Sequence, residues 1–94
     1  MNIRSIIWLP EVIEKLEVKH AVAVEEVTQV FTPGPVYRRG ARGKRRGENL
    51  YLAYGRTEAG RYLLIVFIFK INRRALILSA QDMSDEERRL YRRG

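Results

Sequence analysis

The chain has 94 residues, 46% of them hydrophobic, with one histidine, no cysteine, and 18 Lys and Arg against 11 Asp and Glu for a net charge of +7. That length makes one domain, residues 1–94, with a single core; the missing thiols exclude a disulfide framework, a thiolate zinc site and a cysteine nucleophile, and a lone His20 leaves too few neutral nitrogen ligands for a protein metal site. The longest apolar run, Tyr62 to Phe69, is far short of the roughly 20 residues a membrane helix needs, and the run before Trp8 is too short for a signal-peptide core, so no membrane, metal or cofactor is expected and a reducing cytoplasm fits.

In chain order, Ile3 to Trp8 is rich in β-branched and aromatic residues and predicts a short strand ended by Pro10. Pro10 suits the first turn of a helix, Glu11 and Glu14 favour its positive end, and Val12, Ile13 and Leu16 form one apolar side running to His20. A second helix is expected from Val24 to Phe31, with Glu25 and Glu26 in its first turn, stopped by Thr32-Pro33-Gly34-Pro35. A short strand at Val36 to Arg38 leads into a basic loop. Asn49 to Tyr54 alternates as a strand. Gly55 to Gly60 reads as a polar turn, and Arg61 to Ile71 as a central strand covered on both faces. Asn72 and Arg73 make a tight turn, and Ala75 to Ser79 returns as the last strand of an antiparallel meander. Ser84 and Glu87 form a capping box for a final helix, whose last turns carry Arg88, Arg89, Arg92 and Arg93. The expected class is α+β: a twisted antiparallel sheet with N-terminal helices and a C-terminal helix packed against it.

Charge is unevenly spread. Residues 1–37 balance to −2 and residues 38–94 to +9, and six of the nine residues from Arg38 to Arg46 are basic (Arg38, Arg39, Arg42, Lys44, Arg45, Arg46). So dense a run repels itself and suits a polyanion, RNA or DNA, lying against it. A solvated basic loop without a partner is the plain alternative.

Lys19-His20, followed by Val24-Glu25-Glu26-Val27 and Val30-Phe31, resembles the KHGVSFEEA…VF segment of BrnT-like toxins. Arg74 through Ser79-Ala80, then Glu87-Arg88 and Tyr91, resembles that family's R-x-I-S-A-R…ER…Y ending. Glu48, Tyr51 and Gly55 are similar to its E-x-R-x-x-x-x-G strand, and Ile6-Ile7-Trp8 to its opening strand. The likeness runs in order over essentially the whole chain. It implies a small ribonuclease toxin of the RelE superfamily, in a type II toxin–antitoxin system with a BrnA-like antitoxin as protein partner. It also implies helices against an antiparallel sheet. Two family arginines are absent: Leu50 stands for one and Gln81 for the other. A glutamine cannot neutralise a phosphate as a guanidinium does, so other arginines must carry that charge or the endoribonuclease is weakened or inactive.

Metal-free RNA cleavage proceeds by attack of the 2′-oxygen on the adjacent phosphate and needs charge stabilisation and two proton transfers. Arg61 and Arg74 border the most buried strands and are the leading catalytic arginines, with Gln81 at the departed family position. Arg56 and Arg73 flank strand ends and join Arg38, Arg39, Arg42, Lys44, Arg45 and Arg46 as RNA-binding candidates. Glu48, His20, Tyr54 or Tyr91 would serve as acid or base. Each also has a plainer role: His20 caps a helix C-terminus, Glu48 balances Arg45 and Arg46, Tyr51, Tyr54 and Tyr62 pack in the sheet, and the arginines from Arg88 onward match the helix dipole. A basic module that binds nucleic acid or protein without catalysis is the competing reading.

Overall fold

The computed structural model describes residues 1–42 and 49–93, with the backbone alone for residues 41 and 42. The basic residues Lys44, Arg45 and Arg46, and Glu48 with them, lie outside the described residues, as does the side chain of Arg42.

The chain runs β1 (Ser5–Ile7), α1 (Pro10–Lys15), a π-helical stretch (Leu16–His20), α2 (Val24–Phe31), β2 (Val36–Arg42), β3 (Asn49–Arg56), β4 (Tyr62–Lys70), a short 3₁₀ turn (Ile71–Arg73), β5 (Arg74–Asp82) and α3 (Asp85–Arg92). The class is α+β, as expected. The five strands lie in the order β1-β5-β4-β3-β2. Strands β2 to β5 form the anticipated antiparallel set. The sheet as a whole is mixed, because β1 pairs parallel to β5, Ser5 opposite Arg74 and Ile7 opposite Leu76. An all-antiparallel sheet is therefore corrected to a mixed one. Strand alternation reports which side of a strand is buried and is silent about the direction of its neighbour.

Three boundaries moved for physical reasons. Gly55 and Arg56 belong to β3 and not to a turn, and Gly55 is there because α2 passes so close. A Cβ on it would stand 2.7 Å from Val30 Cγ1, closer than real contacts allow. Strand β2 extends into the basic segment, so Arg38 pairs with Leu52 and Arg39 with Tyr51 before the register shifts towards Arg42. Strand β5 runs on to Asp82 through a bulge, Val66 opposite Ser79 but Phe67 opposite Ile77. The tight turn at Asn72 and Arg73 is present, both residues in left-handed backbone at φ 65° and 56°.

The first helix also differs from a uniform α-helix. After Lys15 it widens to π geometry and ends on Ala21 in the left-handed region (φ 51°). Lys15 Nζ reaches across to donate to the Leu78 carbonyl (2.9 Å), tying α1 to the bulged strand.

Register and alternation divide the sheet into two faces. One carries Ala53, Leu63, Ile65, Phe67, Ala75, Ile77 and Ala80, all packed with Val12, Leu16, Val22, Val27 and Val30 of the N-terminal helical region into one core. Phe67 is its centre, fully buried, with the rings of Phe31, Tyr37 and Tyr51 at 5.6, 6.1 and 5.9 Å. The other face carries rows that cross four strands: Ile7, Leu76, Ile68 and Leu50; Ser79, Val66, Leu52 and Arg38; Gln81, Leu64, Tyr54 and Val36. α3 lies against this face at the end of the third row and buries none of its own residues completely, while Leu64 and Ile68 of the same face are buried, 7% and 8% exposed. Leu90 is 46% exposed there.

Candidate functional site

The open face holds the richest gathering of chemistry-bearing side chains, at the corner where α3 meets β2, β3 and β4. A small cavity of about 80 Å³ is lined by Val36, Arg38, Tyr54, Glu87, Leu90 and Tyr91. Strand alternation aims Arg38 and Tyr54 at it from β2 and β3. The capping box places Glu87 one turn into α3, where its Oε1 accepts from Ser84 N (2.8 Å) and its own N–H donates to Ser84 Oγ (3.1 Å). A carboxylate has about four acceptor positions, so the cap leaves capacity facing the cavity.

Guanidinium groups lie over two of the three tyrosine rings of this corner. Arg38 sits 5.9 Å from the Tyr54 centroid, while Arg56 and Arg88 sit 4.9 and 4.6 Å from that of Tyr62. Tyr91 meets Tyr62 edge to face at 5.9 Å. A ring face attracts a nearby cation without neutralising it as a carboxylate would, so the charge remains for an anion. The Tyr54 hydroxyl is held above the ordinary tyrosine range, first by burial and then by the negative charge of Glu87, with Arg38 pulling the other way. At neutral pH it is therefore a proton donor. The corner gathers three cations, three phenols of which Tyr54 is held protonated, and one carboxylate acceptor.

Arg61, the leading arginine of the sequence reading, has a different environment. Its Nε donates to Asp82 Oδ1 (2.7 Å), Nη1 to the Ala21 carbonyl (2.7 Å) and Glu26 Oε1 (3.2 Å), and Nη2 to the His20 carbonyl (2.9 Å) and Asp82 Oδ2 (3.1 Å). An arginine has five N–H donors, and here all are turned inward. Glu26 in turn accepts from the Ala23 N–H (3.0 Å) at the start of α2. Arg61 thus satisfies the carbonyls that the π-helical end leaves open and ties them to α2 and β5. Its geometry is that of a structural clamp, on the helix-covered side of the sheet. Mutual attraction raises the pKa of Arg61 and, chiefly through its hydrogen bond, lowers that of Asp82 against some desolvation. The charge of His20 adds slightly to the effect on Asp82. His20 belongs to this cluster and not to the tyrosine corner.

Arg73 and Arg74 lie at the other end of the sheet. Strand β4 has nine residues from Tyr62 to Lys70, so at about 3.3 Å per residue its ends are about 26 Å apart. Arg74 pairs with Lys70 in register and folds its Nε back to the Ile71 carbonyl (3.2 Å). Gln81 does share the open face with Tyr54, two strands away in the same row and exposed. The predicted cations therefore separate into three groups. Arg38 and Arg56 come together with the tyrosines, Arg61 and His20 form the clamp, and Arg73 and Arg74 stand apart. Exposed Arg39, on the strand between its neighbours of the open face, points to the opposite side.

Sequence reasoning missed Arg88, Tyr62 and Glu87 as members of one corner. The only available signal was the i to i+4 spacing of Glu87 and Tyr91, with Arg88 beside Glu87, which puts a carboxylate and an aromatic on one helix side. Among the described residues no group of three metal-ligating side chains gathers, and no helix is long and apolar enough to cross a membrane. No known family model matches this chain, and none of the curated proteins does.

Proposed function

We propose that this protein is a ribonuclease toxin of a type II toxin–antitoxin pair, cleaving RNA in the cytoplasm without a metal and restrained by a BrnA-like antitoxin. The observation that carries the proposal is the tyrosine corner. Arg38, Arg56 and Arg88 lie over rings without an ion-pair partner among the described residues, the two ion pairs there both belonging to Arg61. Arg38 shares a cavity with the protonated phenol of Tyr54 and the carboxylate of Glu87, while Arg56 and Arg88 lie over the adjoining ring of Tyr62, which Tyr91 touches. RNA laid over the open face would place its scissile phosphate against Arg38, whose guanidinium would take up charge on the phosphorane oxygens, with Arg56 and Arg88 facing a phosphate further along the strand. Glu87 would accept the 2′-hydroxyl proton, and Tyr54 would deliver one to the departing 5′-oxygen.

The test is cleavage of a mixed RNA substrate by purified protein, with and without a chelator, beside growth arrest on expression. Expected is chelator-insensitive cleavage. It should fall by about 10²- to 10⁴-fold in Tyr54→Phe, the usual worth of a general acid, with RNA affinity kept. Parent protein that binds RNA without cutting it under any condition overturns the ribonuclease reading.

One observation favours a second reading, a nucleic-acid-binding module without catalysis. The arginine best placed by sequence is consumed internally, and the family position after Ser79-Ala80 holds uncharged Gln81. That reading predicts salt-steep RNA binding and no products. Gln81→Arg separates the two, because an added cation on the open face raises cleavage only in an enzyme.

A further inference from the structure

Arg56 comes from β3 and Arg88 from α3, yet both guanidiniums lie over the single ring of Tyr62. Each gains a weak attraction to the ring, and the two charges repel each other. Beside them opens a cavity of about 240 Å³, bounded by Gly60, Tyr62, Met83 and Arg88, with Arg61 and Asp82 in its wall. Arg56 reaches the same place: its guanidinium Nη2 would stand 3.3 Å from a Cβ on Gly60. The one carboxylate lining this cavity does not balance them, because both oxygens of Asp82 accept from Arg61. Two fixed positive charges therefore border a hollow whose acidic residue is already neutralised.

We infer that this hollow is a binding site for a phosphate monoester, held between Arg56 and Arg88. A monoester carries close to two negative charges at pH 7 and three strong acceptor oxygens, matching two guanidiniums that each present paired N–H donors. An internal diester carries one charge and leaves one cation unmatched. The hollow lies at the sheet end, beside the β3–β4 turn, at the margin of the open face. It suits the terminus of a strand. The inference rests on the ribonuclease reading only for what carries the phosphate: the phosphorylated end of an RNA, with free phosphate or a mononucleotide as the other source of the same chemistry.

The experiment titrates the intact protein with inorganic phosphate, adenosine 5′-monophosphate and adenosine at constant ionic strength, following the arginine Nε–H and Tyr62 ring signals by NMR. Phosphate and the monophosphate should shift Arg56, Arg88 and Tyr62 saturably, and adenosine should not. Arg56→Gln and Arg88→Gln should each remove the response while the backbone amide spectrum keeps its folded pattern. In a second arm, oligoribonucleotides ending in a 5′-phosphate, a 3′-phosphate or only hydroxyls are compared. One phosphorylated end should bind about tenfold tighter, the scale of one charge-assisted contact, and Arg88→Gln should erase the difference. Saturable phosphate binding with no preference for phosphorylated RNA supports the site and assigns it to the small ligand. Phosphate binding without any RNA binding supports the site and removes the RNA reading. Absence of a saturable response to both phosphate and the monophosphate in the parent protein overturns the inference.

Discussion

The two faces of the sheet use arginine in opposite ways. On the covered face Arg61 meets two carboxylates and two carbonyls, and every donor is matched. On the open face Arg38, Arg56 and Arg88 meet aromatic rings, which hold the flat cation without neutralising it. A matched arginine contributes to folding and has nothing left to offer a ligand. A stacked one contributes little to folding and keeps its charge for a partner. Nearness to buried strands, the reason for preferring Arg61 from sequence, selects for the first kind.

This contrast can be broken at several points. The largest expected effect is at the centre of the covered face. Phe67→Ala removes the ring that three other aromatics surround and should cost about 3–5 kcal/mol, read as a fall in the denaturation midpoint with unchanged slope. Arg61→Ala should cost about 2–4 kcal/mol, because it leaves Glu26, Asp82 and two carbonyls without their donor. If it instead proves stable and specifically defective in RNA cleavage, the division between the faces fails. On the open face, Arg56→Ala should change stability by no more than about 0.5 kcal/mol while weakening RNA binding and flattening its salt dependence. A thermal melt beside a filter-binding assay at several salt concentrations measures both.

The smallest effects are in pH. Asp82 has its pKa lowered in the fold, so its contribution is fully present above the ordinary aspartate value of about 3.9 and is lost as pH falls through the depressed folded value. The carboxylate is largely exposed, which keeps this below about 1 kcal/mol. Asp82→Asn should flatten the acid limb of a stability–pH curve by that amount. For Tyr54 the raised pKa keeps the phenol protonated to higher pH. If it is the proton donor, the alkaline limb of the cleavage profile lies above the ordinary tyrosine value of about 10. Glu87→Gln, which removes a cause of the elevation, should move the Tyr54 titration followed by its ring NMR signals to lower pH, and Arg38→Ala should move it higher.

Much of this molecule was legible in one dimension. Apolar spacing, Pro10, the Thr32 to Pro35 stop and the Ser84/Glu87 box give the elements their place, since each acts within a few residues of backbone. The α+β class follows from their order. Three things were decided only in the folded chain. β1 lies parallel on β5, because strand pairing depends on partners about 70 residues away (Ser5 with Arg74). Gly55 stays in β3, because Val30 occupies the space a side chain would need. Which of the described arginines meet no carboxylate among the described residues was also decided there. Sequence shows a cation's charge and its neighbours along the chain, whereas its availability depends on whether folding brings it a carboxylate or a ring, and that is settled by contacts between β3, β4, β5 and the helices.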